Sequence, residues 1–260
     1  MILPTDFEAD TTAADRARTV AVGAAAAAMI LVPTLGPLLA GTREGAEEFD
    51  TEITPPDYAF AIWAPIFAGI AANTVQHAAH PTAAVNRRTG WWLAGAYTAN
   101  ACWSIAAQSD RFRHTPFILA VAASLAATAH RKAQHDQPRG AERLATHSTG
   151  LLLGWTSLAS VVNALAVQRH DTFAPTTRTG RNTARLAVAG GAVVLSAIIA
   201  ASRHGYTSIA LAGTWALATS AVNPQRTSRT RQVNAAAAAL LVATTAIRLR
   251  RSRRRHDRRQ

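Results

Sequence analysis

Long apolar runs alternate with short polar and charged segments along most of this chain of 260 residues. A bilayer core about 30 Å thick requires roughly 17–25 apolar residues in one helix, and eight runs approach or reach that length. They cover residues 19–40, 58–78, 91–108, 115–130, 148–168, 185–202, 206–222 and 233–247. The runs lack the polar stripe every 3.6 residues that marks a helix at a protein–water boundary. The pattern therefore predicts an all-α, polytopic membrane helix bundle of about eight transmembrane helices.

Charge changes this picture only at the ends of the runs. No Asp, Glu, Lys or Arg occurs within 19–40, 58–78 or 91–108, so the net charge of +12 lies in the connections, the helix ends and the C-terminal tail. Ionisable side chains inside a membrane mark proton and ion pathways, and their absence from these runs argues against an ion-coupled pump. It also removes the acid, base and nucleophile sets of membrane hydrolases, so an enzyme is the less favoured class.

The basic residues predict a multi-pass protein of the cell membrane with both termini in the cytoplasm. In that orientation the inner segments carry 17 Lys and Arg residues and the outer segments carry 10. Eight of the 17 lie in the tail "RLRRSRRRHDRRQ", so the positive-inside rule depends on that tail. A polybasic run directly after a span more often contacts anionic lipid than nucleic acid. We therefore expect membrane lipids, and no nucleic acid, among the partners.

The stretch "TPPDYAFAIWAPIF" concentrates aromatic side chains at the start of the second run. At 100° per residue, Phe60, Trp63 and Phe67 share one helix face, whereas Tyr58 points towards the interface, where aromatic belts occur. The first two prolines suit the first turn of a helix, and Pro65, further along, predicts a bend. Taken alone, an aromatic stripe of this kind is more typical of helix–helix packing than of a binding site.

Two later runs each place an indole, a small residue and a carboxamide on one helix face. The two sets are Ala96, Asn100 and Trp103 in the third run and Trp155, Ala159 and Asn163 in the fifth. An Asn in hydrocarbon needs a hydrogen-bond partner, so both faces should point into the protein. There the indoles and the face that carries Phe60 could line one cavity.

These motifs resemble the TspO/MBR family of tryptophan-rich sensory proteins, also called translocator proteins. "PPDYAFAIWAPIF" resembles the start of the family's second helix, "NACW" resembles part of its third, and "WTSLASVVN" is similar to the Trp, Ala, Asn row of its fifth. The resemblance covers roughly residues 18–170 and implies a five-helix core, and the further helices are typical of a longer, divergent branch. We therefore divide the chain into an N-terminal cytoplasmic segment (1–18), a TspO-like five-helix core (19–170), three additional transmembrane helices (171–247) and an Arg-rich cytoplasmic tail (248–260).

The resemblance implies a pocket for a flat apolar ligand, such as a porphyrin or other tetrapyrrole or a lipid, bound by a sensor or carrier. The implied ligand-binding residues are Phe60, Trp63, Phe67, Asn100, Trp103, Trp155, Ala159 and Asn163. A haem-type or porphyrin ligand is the one cofactor that it suggests, and no catalytic residue or metal site is predicted. An apolar cavity lined by aromatic rings with a few polar groups suits a planar ligand.

Two other functions stay open at this point. A facilitator-type transporter without ion coupling would use the last three helices to complete a pathway. A membrane enzyme acting on a bound pigment or lipid would need an acid or base at the cavity, which only the loop residues Glu47, Glu48, Asp50 and Glu52 could supply.

His77 and His80 are three residues apart and could share a face, as metal or haem ligands do. Because Pro81 ends the helix beside them, solvated side chains are the simpler interpretation, and the same holds for His147. Cys102 is the only cysteine, so no zinc-type cysteine spacing occurs and no internal disulfide can form.

The family's dimer contact uses small residues of the third helix. Gly95 and Ala99 supply a small-xxx-small pair at the corresponding place in this chain, which makes a homodimer a candidate assembly. In a chain so rich in alanine the same spacing also arises by chance.

Overall fold

The computed structural model describes residues 11–40, 50–109, 111–134, 140–171 and 178–257, and within these ranges it contains helices and no strand. The α-helices are α1 (Ala13–Ala40), α2 (Trp63–Ala79), α3 (Ala84–Ala107), α4 (Thr115–Ala133), α5 (Arg143–Asp171), α6 (Arg178–Ala201), α7 (Tyr206–Val222) and α8 (Ser228–Asp257). Short 3-10 segments lie at Asp57–Ile62, Phe112–His114 and Gly140–Glu142. The predicted all-α polytopic bundle of about eight helices is confirmed.

Five segments in the described part of the chain are long and apolar enough to cross a membrane. They are Ala13–Leu35, Asp57–Ala79, Arg143–Gln168, Thr179–Ala201 and Ser228–Ser252. The predicted spans 91–108, 115–130 and 206–222 coincide with α3, α4 and α7, which are not among the five. α7 is only 17 residues long, and α3 begins with the polar stretch "NRRT". More than half of the residues of α3 and of α7 are buried against neighbouring helices, so these two helices present less surface to lipid than a span on the outside of the bundle.

The eight helices share one interior. α3 packs against α1 and α4, α5 packs against α2, α4, α6 and α7, and α8 packs against α6 and α7. A single cluster of buried apolar side chains draws members from every one of these helices. The three additional helices are therefore built onto the first five through a continuous core.

Two glycines of α5 allow α7 to approach closely. A Cβ atom at Gly154 would lie 2.5 Å from the carbonyl oxygen of Ile209, and one at Gly150 would lie 2.7 Å from the carbonyl oxygen of Gly205. Neither distance leaves room for a side chain. This Gly-x-x-x-Gly spacing is the small-residue pattern by which membrane helices bring their backbones together, and it joins the five-helix core to the additional helices.

Gly95, one of the predicted dimer pair, contacts the neighbouring helix of its own chain. A Cβ atom placed there would lie 3.2 Å from Cδ1 of Leu125 on α4. The glycine therefore contributes to packing between α3 and α4.

Charged side chains are buried where α1 meets α3, and α1 begins inside the predicted N-terminal cytoplasmic segment, 1–18. α1 begins at Ala13, and Asp15, only 2% exposed, accepts hydrogen bonds from Arg18 at 2.7 Å and from Arg87 at 2.7 and 3.0 Å. Thr12 caps the helix, because its hydroxyl and the Asp15 carboxylate exchange hydrogen bonds with each other's backbone N–H groups. Mutual pairing offsets the cost of burying these charges.

Candidate functional site

The aromatic segment before α2 is wound differently from the prediction. Asp57–Ile62 is a 3-10 helix that follows the extended backbone of Pro56, and the α-helix begins only at Trp63. Pro65 consequently lies in the first turn of α2, where its missing N–H removes no intrahelical hydrogen bond. Pro65 is therefore not in the helix body, and the bend expected there stays a prediction. Tyr58 is 55% exposed, as predicted for an interfacial ring.

Three indoles from three helices meet beside this segment. The ring centroid of Trp63 on α2 lies 6.1 Å from that of Trp103 on α3 and 6.1 Å from that of Trp155 on α5. Phe67 stacks on Trp63 at 5.3 Å, and Phe60 meets Trp155 edge-on at 5.7 Å. Stacked and edge-on arrangements of this kind stabilise aromatic pairs beyond the area that they bury. The structure therefore gathers the five predicted aromatic residues into one group, the aromatic cluster.

The α5 row predicted from the sequence faces this aromatic cluster. Trp103 Nε1 donates a 3.2 Å hydrogen bond to Asn163 Oδ1, and Asn163 Nδ2 donates to the carbonyl oxygen of Ala159 at 3.0 Å. Ala159 packs against the buried group that contains Trp103, as Trp63 does. The carboxamide of Asn163 thus fixes the orientation of one indole, as expected for an Asn that must find a partner inside a bundle.

Two buried polar atoms at the aromatic cluster lack a hydrogen-bond partner among the described residues. Trp155 is 3% exposed and its Nε1–H has no acceptor, while Asn100 is 2% exposed and its Oδ1 has no donor. Asn100 lies one turn from the cluster on α3, and its Nδ2 donates to the carbonyl oxygen of Ala96 at 2.8 Å. An unpaired buried polar group costs about 1–3 kcal/mol. A bound molecule that pairs with either atom would remove part of that cost.

The additional helices hold the 3-10 segment in place from outside the five-helix core. Trp215 on α7 donates from Nε1 to the carbonyl oxygen of Ala59 at 2.7 Å. Arg226, between α7 and α8, binds both carboxylate oxygens of Asp50 at 2.8 and 2.5 Å and also donates to the carbonyl oxygen of Thr54. Asp50 and Thr54 precede the 3-10 segment, so we call the contacts of Trp215 and Arg226 with residues 50–62 the clamp.

Glu52 adds a third attachment of residues 50–62, to α8 and the residue before it. Its Oε1 accepts hydrogen bonds from the Thr227 hydroxyl at 2.5 Å and from the Thr230 hydroxyl at 2.8 Å. Burial raises the pKa of Glu52, but the hydrogen bonds from Thr227 and Thr230 outweigh burial and hold the pKa below its ordinary value. Asp50 and Glu52, two of the four loop carboxylates considered as acids or bases, are thus engaged with α8 and its connection. Glu47 and Glu48 lie outside the described residues.

Sequence reasoning missed Trp215 and Arg226. The available signal was weak: Trp215 is the only tryptophan after Trp155, and it lies in a run of small and aliphatic residues. Arg226 looked like one more basic residue of an outer connection. Which segment each side chain reaches depends on how α7 packs against α5, and a single sequence does not report that.

Of the three histidines predicted to be solvated, two are exposed and one is buried. His80 and His147 are exposed, as predicted. His77 is 0% exposed, so its prediction as a solvated side chain was wrong. Its Nε2 lies 3.0 Å from where a Cβ of Gly90 would be, because a glycine on α3 leaves space for the ring. Within the described ranges no group of three or more His, Cys, Asp or Glu residues is placed to hold a metal ion.

Comparison with known protein families matches residues 17–249 to the family described as TSPO-like protein. This range extends beyond the five-helix resemblance and includes α6, α7 and most of α8. Neither the curated proteins nor the solved structures contain a match to this chain.

Proposed function

Because this chain belongs to the TSPO-like protein family and is a multi-pass integral membrane protein, we propose that its aromatic cluster binds an apolar planar ligand. The ligand class is a porphyrin or other tetrapyrrole, or a flat lipid, and the protein acts as a sensor or carrier for it. The observation that carries this proposal is the meeting of Trp63, Trp103 and Trp155 from three different helices.

The chemistry of the aromatic cluster supports a planar ligand with a few polar atoms. Indole and phenyl rings offer large, rigid apolar faces on which a conjugated ring can stack. The unpaired Nε1–H of Trp155 offers a donor to a ligand carbonyl or carboxylate, and the Oδ1 of Asn100 offers an acceptor to a ligand N–H. Apolar walls with a small number of convergent polar groups are typical of cofactor and small-molecule sites.

The clamp supports a role for the additional helices in controlling how the ligand reaches the aromatic cluster. Phe60 belongs both to the clamped 3-10 segment and to the aromatic cluster, where it meets Trp155. A ligand that enters past this segment must displace Phe60, and the hydrogen bond from Trp215 to Ala59 resists that displacement. The ligand is therefore held behind a segment that α7 and α8 secure.

We place the protein in the cell membrane with both termini in the cytoplasm, and the C-terminal end of α8 on anionic lipid. Arg248 donates to the carbonyl oxygen of Ser202 and its guanidinium lies 5.4 Å above the ring of Tyr206. Arg250, Arg251 and Arg254 follow on the same helix and are exposed. A juxtamembrane group of arginines attracts anionic headgroups at about 1 kcal/mol per charge.

Tryptophan fluorescence of the detergent-purified protein during titration with protoporphyrin IX tests the proposal. Saturable quenching with a micromolar midpoint, about −8 kcal/mol, should weaken in Trp63→Phe and in Trp155→Phe. Trp91→Phe is the matched control, because Trp91 is 55% exposed and lies outside the aromatic cluster. Linear quenching that all variants share would mean that the rings only pack against one another.

A further inference from the structure

Basic side chains from two distant parts of the chain lie together at one end of the bundle. Arg143 and His147 are one turn apart on α5, and Arg203 and His204 lie in the turn between α6 and α7. His204 is half-buried, and the other three side chains are exposed. The charges of the other three all act on His204, which shows that the four side chains lie close to one another. We call these four side chains the basic group.

Neighbouring helices fix the backbone that carries Arg203 and His204. Gln134, at the end of α4, accepts hydrogen bonds through its Oε1 from the backbone N–H groups of Arg203 at 2.8 Å and of His204 at 2.7 Å. Its Nε2 donates to the carbonyl oxygen of His204 at 3.1 Å. Gly205 follows with a φ of 68°, and a Cβ atom there would collide with the carbonyl oxygen of Thr146 on α5. A ligand of these two side chains therefore meets a backbone that is already ordered, which lowers the entropic cost of binding.

A hydrogen bond joins the α5 half of the basic group to the other half. Nδ1 of His147 lies 2.9 Å from the hydroxyl oxygen of Ser208, in the first turn of α7. When that hydroxyl donates to Nδ1, the neutral imidazole carries its proton on Nε2. The exposed ring can then donate this N–H to a ligand. The first turns of α5 and α7 are thus held side by side, with Arg143 one turn before His147.

The charge of the basic group favours an anion. Partial burial, and then the charges of the other three members, hold the pKa of His204 below its ordinary value. Arg143 and Arg203 carry permanent positive charges, and Glu142, which precedes Arg143 in the sequence, offsets one of them in part. An anion bound among these side chains would reverse the field at His204 and favour its protonation.

The position of the basic group along the helices indicates where the anion comes from. The apolar segment Thr179–Ala201 of α6 ends two residues before Arg203, and the apolar segment Arg143–Gln168 of α5 begins with Arg143 itself. The basic group therefore lies where the apolar surface of the bundle ends, which is the depth of the lipid headgroups. Basic pockets between membrane helices on the cytoplasmic side bind anionic headgroups.

We propose that the basic group is a binding site for the phosphate of an anionic phospholipid headgroup. The guanidinium groups of Arg143 and Arg203 can each offer two parallel N–H donors to phosphate oxygens, and the two imidazoles add single donors. This site goes beyond the attraction of the α8 arginines for a charged surface, because α4, α5 and α7 hold its members in place. It does not depend on whether the aromatic cluster binds a ligand.

Titration of His204 by NMR of the full chain with labelled histidine tests this in lipid nanodiscs, with His204→Gln to assign the signal. Replacing phosphatidylcholine by a mixture with phosphatidylglycerol should raise the titration midpoint of His204 by about one pH unit more than that of His80. His80 is the matched control, because it is exposed at the same end of the bundle and reports the general surface potential. Equal shifts of the two histidines would overturn the proposal.

Variants separate this site from the end of α8. The double variant Arg143→Gln, Arg203→Gln should raise the His204 midpoint in phosphatidylcholine, because two cations are gone, and should abolish the additional shift with phosphatidylglycerol. Replacing the exposed Arg250, Arg251 and Arg254 of α8 by Gln should leave that additional shift in place. Persistence of the shift in the double variant, or its loss in the α8 variant, contradicts the assignment of the headgroup to the basic group.

A last arm separates lipid from soluble phosphate. Inorganic phosphate added to the phosphatidylcholine nanodiscs should leave the His204 midpoint unchanged, because it lacks the acyl chains that hold a headgroup at this depth. If inorganic phosphate reproduces the shift seen with phosphatidylglycerol, the site takes phosphate from solution and the lipid assignment is wrong.

Discussion

The indole N–H of Trp215 on α7 donates a 2.7 Å hydrogen bond to the carbonyl oxygen of Ala59, a fully buried residue of the 3-10 segment before α2. The next residue, Phe60, meets Trp155 of the aromatic cluster at 5.7 Å. One hydrogen bond therefore connects the seventh helix to a wall of the candidate ligand site. The three additional helices contribute to that wall, although none of them supplies a ring of the aromatic cluster.

Trp215→Phe removes the donor and keeps an aromatic ring in place. The Ala59 carbonyl then loses its partner, at a cost of about 1 kcal/mol, and the 3-10 segment should open more often. We expect bound protoporphyrin IX to dissociate about fivefold faster. The rate is measured by stopped flow, with an excess of a second, ligand-free protein that captures the released protoporphyrin IX. Trp91→Phe, on the exposed face of α3, should keep the parental rate. An unchanged rate in Trp215→Phe would show that this hydrogen bond does not restrain the ligand.

Arg226→Gln should destabilise the protein modestly by releasing Asp50. The Arg226 side chain is 8% exposed and that of Asp50 is 39% exposed, so solvent screens the pair in part, and we expect a loss of about 1 kcal/mol. Thermal unfolding should show that Asp50→Asn adds little once Arg226 is replaced. Arg229→Gln, an exposed position three residues away, serves as the control. Fully additive losses would mean that the two side chains act independently.

Acid should weaken the attachment of Glu52 to α8. Burial opposes ionisation of Glu52, yet the hydrogen bonds from Thr227 and Thr230 keep its pKa in the folded protein below the ordinary value of 4.5. Its contribution to stability is therefore complete above about pH 4.5 and is lost as the pH falls through the lower folded-state pKa. Melting temperatures measured from about pH 6 to about pH 3 should fall less steeply for Glu52→Gln than for the parent. If the melting temperatures of Glu52→Gln and the parent fall equally steeply with pH, other groups cause the acid sensitivity.

Gly154→Ala should disrupt the packing of α5 on α7. The new methyl group would lie 2.5 Å from the Ile209 carbonyl oxygen, which is backbone and cannot rotate away. We expect a loss of about 1–3 kcal/mol in the free energy of unfolding. Gly190→Ala is the matched control, because a Cβ at Gly190 has nothing within 4 Å. Equal stability of the two variants would show that α5 and α7 can separate without cost.

Much of the aromatic cluster was predictable because its members obey helical periodicity. Trp155, Ala159 and Asn163 recur every four residues, so they lie on one face of any straight helix. An Asn on that face forces it inward, and Trp103 of α3 follows the same reasoning through Asn100, whereas Trp63 of α2 shares its face only with Phe60 and Phe67. The hydrogen bond from Trp103 to Asn163 shows that the faces of α3 and α5 both point into the bundle. The spacing of residues within single helices thus predicted which faces of α3 and α5 point inward, and the structure brings these faces together with Trp63 of α2.

Contacts that depend on which residues of another helix lie opposite could not be predicted from the sequence. His77 is buried because Gly90 of α3 stands opposite it, and nothing in the sequence around His77 indicates that. Asp15 is buried because Arg87, distant in sequence, neutralises it. A face that is fixed within its own helix still leaves open which other helix it meets. The prediction that an α-helix runs from residue 58 was wrong for a local reason. A 3-10 helix and an α-helix place apolar residues at nearly the same spacing, so the sequence does not tell them apart over so short a segment.

The separation in sequence between the two halves of the clamp has a consequence for biogenesis. The last helix of the aromatic cluster, α5, ends at Asp171, and Arg226 follows 55 residues later, which at about 5–20 residues per second of translation corresponds to roughly 3–11 s. Throughout that interval the nascent chain carries the helices of the aromatic cluster but not the complete clamp. Under the proposed function, an apolar ligand can therefore reach the aromatic cluster during synthesis, before Arg226 completes the clamp.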